Sequence, residues 1–352
     1  MAGNKNLNAA ARAKKDEFYT RLTDIEQELK WYRNHFADKI IFCNCDDPFE
    51  SQFFFYFAMK FNFFKLKKLI VTGYNGSPVN LFQPVEDAKP AYKVEINKID
   101  KKFFDRTDVT TLMNELKIAL GKKKSATADG NTLSLLEGDG IYCAGDFRSK
   151  ECVELLKQSD IVVTNPPFSL FREYVKQLVD FDKKFLIIGN INAITYKEIF
   201  PLIMQNKIWL GYGFRRDPQF KVPDNYEERV TRFWIDESGQ KWRSFGNMCW
   251  YTNLEHAKRN SPYEFFFRYK DNPEHYPKYD NYDAIEVSKT SDIPEDYFGV
   301  MGVPITFLDK YCPDQFEILG KADTGKIDEY NLANPIINGK MIYKRILIRR
   351  RK

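Results

Sequence analysis

Apolar positions in this chain fall into short β-prone blocks, each followed by a turn and then by a run with helical spacing. Asp16 to Thr20 leads into a helix carrying Ile25, Leu29, Trp31 and Tyr32 and ending near His35. Ile40 to Cys45 reads as a strand stopped by Asp46-Asp47-Pro48, and the aromatic run Phe53 to Phe64 reads as a core helix. Leu66 to Thr72 is expected as a second strand and Val109 to Leu120 as a helix. Ile141 to Phe147 reads as a strand ending in Gly145-Asp146-Phe147, with a helix over Ser149 to Lys157. Ile161 to Thr164 is a short buried strand; Pro166 and Pro167 end it, because a proline has no N–H for the ladder. From Ser169 the spacing of Leu170, Phe171, Tyr174, Val175, Leu178 and Val179 restarts the chain as a helix. Lys184 to Asn190 (strand), Thr195 to Gln205 (helix), Ile208 to Tyr212 (strand) and Met248 to Thr252 (strand) continue the alternation. This order predicts an α/β fold with a doubly wound, mostly parallel sheet.

Four stretches break the pattern. Residues 1–15 are polar and basic and read as an arm; residues 75–140 read as a surface insertion with a flexible run at 121–132. Residues 213–246 interleave Arg215, Arg216 and Arg243 with aromatics around a hairpin turn at Glu237-Ser238-Gly239-Gln240. Such a mixture suits phosphate contacts and base stacking, and equally an ordinary charged hairpin. From 256 to 352 the chain changes to short strands and loops rich in Tyr, Asp and Pro, a smaller region after a core of 16–255.

The chain has 352 residues, 43% hydrophobic and 29% charged, enough to bury one large core and a smaller module. A net charge of +5 is too small to imply nucleic acid by itself, so any phosphate contacts must come from a local patch. Six Cys with no paired CxxC and only three His argue against a metal site, and none is assigned. The apolar run at 53–64 is too short for a bilayer, no signal peptide is visible, and the chain reads as cytoplasmic.

The candidate chemistry lies at the end of the strand Ile161 to Thr164. Asn165 offers a side-chain carbonyl, and Pro166 a main-chain carbonyl with no N–H beside it. Two such acceptors on a rigid loop can take both hydrogens of an exocyclic amine and leave its lone pair nucleophilic. Phe168 offers a face on which a planar base can stack, worth ~1–3 kcal/mol. That is a site for methylating an amino group on a nucleobase, which must leave its helical stack to arrive there.

Asn165-Pro166-Pro167-Phe168 is also the catalytic motif of amino-methyltransferases. Further stretches resemble the EcoRI-type adenine-specific DNA methyltransferases: DEFYT (16–20), CNCDDP (43–48), DIVVTNPPFSLF (160–171), KFLIIGNIN (184–192), YPKYDNYDAIEV (276–287) and GVMGVPITFLDKY (299–311). The resemblance covers most of the chain outside roughly 75–140. It implies S-adenosylmethionine as cofactor and methylation of adenine N6 in double-stranded DNA, with Asn165, Pro166 and Phe168 catalytic. It also implies that Tyr19 and Thr20 close over the cofactor and that contacts to it come from among Asn44, Asp46 and Asp47. Asp146 and Phe147 are assigned to its adenine, Asn165 to the cofactor site as well, and Arg215, Arg216 and Arg243 to DNA. A restriction endonuclease acting on the same site is an implied partner, and the 256–352 region an implied target-recognition region. Ser51 and Phe53 depart from the glycines that methyltransferases commonly carry after such an acidic turn. That departure keeps a catalytically dead DNA-binding relative open, beside enzymes that methylate RNA or protein glutamine through the same motif.

Overall fold

The structure is a computed structural model that describes residues 19–74, 90–102, 104–214, 218–222, 228, 230–323 and 331–352. The chain divides into two compact units. One combines Met1–Ile191 with Arg216–Leu254; the other combines Asn192–Arg215 with Glu255–Lys352. The segment 192–215, read from sequence as part of the core, thus belongs to the second unit.

The first unit opens with strand β1 (Tyr19–Thr20) and helix α1 (Leu22–Leu29), which a 3-10 turn extends to His35. Strand β2 (Ile40–Cys43) leads through the acidic turn into α2 (Gln52–Met59), the short α3 (Phe61–Phe64) and β3 (Lys68–Thr72). Then come β4 (Tyr92–Ile96), α4 (Arg106–Leu120), β5 (Ser125–Ala128) and β6 (Asn131–Leu135). Next are α5 (Lys150–Gln158), β7 (Ile161–Thr164), α6 (Phe171–Asp180) and β8 (Lys184–Asn190). After α7 (Phe200–Met204) and β9 (Trp209–Leu210) of the second unit, the chain returns with β10 (Gln219–Lys221) and β11 (Phe233–Ile235). β12 (Lys241–Ser244) and β13 (Met248–Thr252) complete the first unit.

Its main sheet runs β5-β6-β4-β3-β2-β7-β8-β13. The pairs β3–β2, β2–β7 and β7–β8 are parallel; those toward both sides are antiparallel. The expected mostly parallel sheet is therefore a mixed one, parallel only at its centre. Every residue of β7 is buried, because both faces are covered, which is why its sequence is continuously apolar. Ile41, Leu69, Ile161, Val163 and Leu186 meet α1, α2 and α4 in one aromatic-rich core. The alternate residues Phe42, Ile70, Val162 and Ile187 are equally buried, on the face where α5 and α6 pack.

The chain leaves β2 for β3 on one side and β7 for β8 on the other. That reversal opens a crevice at the carboxyl ends of β2 and β7, the place where open α/β sheets bind ligands. The acidic turn and Asn165-Pro166-Pro167-Phe168 stand at its two edges.

Two further expectations change. The 75–140 stretch is no surface insertion where it is described, since β4, β5 and β6 continue the sheet beyond β3. Val94, Ile96 and Leu133 are fully buried while Lys93 and Glu95 alternate outward, so charge on one face masked the strand. The run at 121–132 contains a hairpin whose turn residues Asp129 and Gly130 both have positive φ (48° and 78°), the Asp-Gly turn that favours hairpins. Ile141 to Phe147, in contrast, forms turns and not a strand. The Asp139 side chain accepts from the N–H groups of Ile141, Tyr142 and Lys150 at 2.8–3.0 Å and folds this segment back. Three backbone donors hold its carboxyl below the usual carboxylate range.

In the second unit a five-stranded sheet is built from Ile285–Glu286, Val300–Val303, Arg345–Arg350, Phe316–Ala322 and Asn331–Leu332, in that order. Among the described residues no helix is long and apolar enough to cross a membrane.

Candidate active site

The acidic turn is organised by short backbone bonds. The Asp46 N–H donates to the Thr72 carbonyl at 3.0 Å, and the Asp47 carbonyl accepts from Ser51 N–H at 2.7 Å. Asp47 Oδ1 accepts from Phe49 N–H at 2.9 Å. Ser51, standing where a glycine was expected, has an ordinary φ of −64° and caps α2 by accepting from Phe54 N–H at 3.1 Å. Phe53 lies in the core at 1% exposure. Neither position needs the freedom of glycine in this backbone.

Across the crevice, the Thr164 hydroxyl reaches both the Asn44 carbonyl and Asp46 Oδ2, the latter at 2.6 Å. Tyr174 on α6 donates its hydroxyl to Asn44 Oδ1. Asn44 and Asp46 are buried, and burial pushes the Asp46 carboxyl up to about 7. Hydrogen bonds from Thr164 and Ser51 offset part of that rise, and the charge of Asp47 adds to it.

Asp146 is 6% exposed and accepts from Arg148 three times: from N–H and Nε at 2.9 Å and from one terminal guanidinium nitrogen at 2.8 Å. Arg148 also reaches Glu173 at 3.2 Å and lies over the rings of Tyr142 and Phe147. The helix α5 is capped by Ser149, which leaves the Asp146 carboxylate to Arg148. Phe147 is buried edge-on against Tyr174, with ring centroids 5.0 Å apart. An ionised carboxylate has about four acceptor sites, so Arg148 leaves Asp146 roughly one for a ligand amine. Asp146→Ala should therefore lower stability by about 1–3 kcal/mol and, if Asp146 makes the cofactor contact that the resemblance implies, also weaken S-adenosylmethionine binding, whereas Arg148→Ala should lower stability alone. Denaturant unfolding beside calorimetry separates the two effects. If Asp146→Ala leaves the affinity intact, this carboxylate serves Arg148 only.

In the motif itself Pro166 is buried and Asn165, Pro167 and Phe168 are partly buried. Phe168 opens a 3-10 turn, Phe168–Leu170, that runs into α6. Its ring meets those of Phe220 and Phe245 edge-on, with centroids 6.3 and 6.4 Å away. These two belong to a small antiparallel sheet, β1-β10-β12-β11, and the residue after it. In its registers Tyr19 faces Lys221, Thr20 faces Phe220, and Phe220 faces Arg243. Lys221 in turn pairs with Glu50 of the acidic turn at 3.3 Å. The entry segment and the hairpin region, about 200 residues apart in sequence, are thus one sheet lying against both edges of the crevice.

A family model described as adenine-specific methyltransferase EcoRI matches residues 6–351. The chain belongs to this methyltransferase family. It is 48% identical over 352 residues to the Type II methyltransferase M.EcoRI of Escherichia coli, covering 100% of this chain and 98% of that protein. Type II methyltransferase M.MgeORF184P of Mycoplasma genitalium is 35% identical, with 99% of each chain covered. M.MpnI of Mycoplasma pneumoniae is 33% identical, with 98% of each covered. No solved structure gives a significant match.

In this methyltransferase, Thr20 is 2% exposed and its hydroxyl has no hydrogen-bond partner among the described residues. A buried hydroxyl of that kind suits a ligand contact, and with the acidic turn it fits the cofactor implied by the family. Only the backbone of Tyr19 is described, and Arg215, Arg216 and the arm 1–15 lie outside the described residues. Arg243 is described: its guanidinium lies 4.9 Å above the Phe245 ring. Sequence reasoning missed Thr164, Tyr174, Arg148, Phe220 and Phe245. Tyr174 was visible only as one apolar position on a helix; its hydroxyl partner lies 130 residues away.

Proposed function

We propose that this methyltransferase transfers a methyl group from S-adenosylmethionine to N6 of adenine in duplex DNA, after the base has rotated out of the helix. The observation that carries this reading is Asn165-Pro166-Pro167-Phe168 at the crevice between β2 and β7, beside a buried acidic turn. The cofactor would supply a methyl on a sulfonium, a leaving group good enough that no covalent enzyme intermediate is needed. Thr20, Asn44, Asp47 and Asp146 would hold it, with the entry strand Tyr19–Thr20 covering it. Asn165 and the Pro166 carbonyl accept from the amine, and Phe168 stacks the adenine, so catalysis comes from positioning and acceptor polarity. Arg243, on the sheet that flanks Phe168, would contact DNA phosphates, the role also expected of Arg215 and Arg216. The smaller region 256–352 serves target recognition, and a cognate restriction endonuclease would share the site in the cytoplasm.

The test is methyl transfer from labelled S-adenosylmethionine to duplexes carrying a GAATTC palindrome, to scrambled duplexes, to RNA and to protein. Label on adenine N6 of DNA is the expected result. Label on RNA or glutamine alone overturns the reading, as does cofactor binding without transfer to any substrate.

A further inference from the structure

Thr164 immediately precedes Asn165, and its hydroxyl lies between two oxygens, the main-chain carbonyl of Asn44 and Oδ2 of Asp46. A hydroxyl carries one proton and can donate it once. The Asn44 carbonyl can only accept. If Thr164 donates to it, the proton in the second contact has to come from Asp46. We propose that Asp46 is a neutral carboxylic acid in the free enzyme, donating to Thr164 and so positioning Asn165. The chain of donors then runs from Asp46 to Thr164 to the Asn44 carbonyl, tying the end of β7 to the end of β2.

The surroundings agree with a neutral group. Asp46 is 5% exposed. The groups facing it are Asp47 on its own turn, the Ser51 hydroxyl at the cap of α2, Thr164 on β7, the Cys43 thiol on β2 and the Tyr174 phenol on α6. None of these is a cation, and an ionised Asp46 would push up both Cys43 and Tyr174. Burial moves the carboxyl up to about 7 even while Thr164 donates to it, and a Thr164 proton turned to the Asn44 carbonyl withdraws that lowering contact. On ionisation Thr164 must turn its proton to Asp46, and the Asn44 carbonyl then faces a bare oxygen lone pair. Asn165 then loses the side-chain tie that joins its end of β7 to β2, while the ladder from Thr164 to Ile187 of β8 persists.

The sign of the pH effect follows. The folded carboxyl titrates near 7 and an unfolded aspartate near ~3.9. Between those values the folded protein holds the extra proton, so stability from this group falls as pH rises through that window. The consequence for catalysis rests on the methyl-transfer reading above; the protonation does not.

Infrared difference spectra of the full-length protein test it directly. We expect a protonated-carboxyl carbonyl band that titrates away near neutral pH and is missing from Asp46→Asn. In Thr164→Val the band should persist but shift, because its acceptor is gone. Asp46→Asn, whose amide still donates, should rescue much of the stability lost in Asp46→Ala and turn over at least ~10-fold faster than it. In Asp46→Ala the loss should fall on kcat, with the KM for S-adenosylmethionine changed little. Absence of the band, its persistence in Asp46→Asn, or its indifference to Thr164→Val overturns the proposal. So does an Asn variant as impaired as the Ala variant with cofactor affinity lost, the signature of a charged ligand. If no DNA is methylated at all, the functional reading fails while the infrared result still decides the protonation.

Discussion

Asn165→Ala should reduce methyl transfer by several orders of magnitude while S-adenosylmethionine binding stays within a few-fold. Losing one positioned acceptor costs ~3–4 kcal/mol of transition-state stabilisation, about 10²–10³ in rate, and a misoriented amine adds to that. The fold should survive, because Asn165 lies just past the buried strand β7 and the hydroxyl network of Thr164 is untouched. Phe168, held edge-on by Phe220 and Phe245, also remains in place. Single-turnover transfer on duplex DNA, with calorimetric titration of the cofactor, reads both quantities. Turnover close to wild type would leave the motif as a structural turn and end the proposed mechanism.

Gly145→Ala should cost stability on a scale that few single substitutions reach. Gly145 has φ +78°, and a Cβ built there would stand 1.9 Å from the Gly73 carbonyl oxygen and 2.9 Å from its carbon. Those are backbone atoms at the end of β3, so no side-chain rotation relieves the overlap. The left-handed conformation alone costs ~1–2 kcal/mol, and moving the strand end adds to it, giving about 3 kcal/mol or more. Gly130→Ala is the control: it has the same φ of +78° with nothing within 4 Å, and should cost only about 1 kcal/mol. Because the displaced loop carries Asp146, the proposed cofactor contact predicts that affinity falls with stability in Gly145→Ala. Equal midpoints for the two variants in urea would show that the contact at Gly73 is not a constraint.

Ser51 and Phe53 illustrate how a sequence pattern can mislead about chemistry. Their departure from glycine raised the reading of an inactive relative. In the folded chain Ser51 is a helix cap at an ordinary φ and Phe53 a core residue. The stretch 75–140 misled in the opposite direction. Its alternating charges look like surface, yet Val94, Ile96 and Leu133 are buried, because an antiparallel strand at the side of a sheet needs only one apolar face.

What the amino-acid order determined alone is local. Ile161 to Thr164 matched its strand residue for residue, as did Lys184 to Asn190 and Met248 to Thr252. Runs of β-branched and aromatic residues ending at prolines or polar turns specify strands without help from distant contacts. The same locality made Asn165-Pro166-Pro167-Phe168 readable as a rigid acceptor loop between a strand and a helix. The tertiary structure decided everything that depends on partners far along the chain. Ile141 to Phe147 has strand-like residues, but three N–H groups bound to one Asp139 carboxylate outweigh propensity. Thr164 finds Asp46 across 118 residues, and Thr20 finds Phe220 only when β1 pairs with β10. Periodicity reports which face of an element is apolar; it carries no record of which other element will cover that face or supply the missing proton.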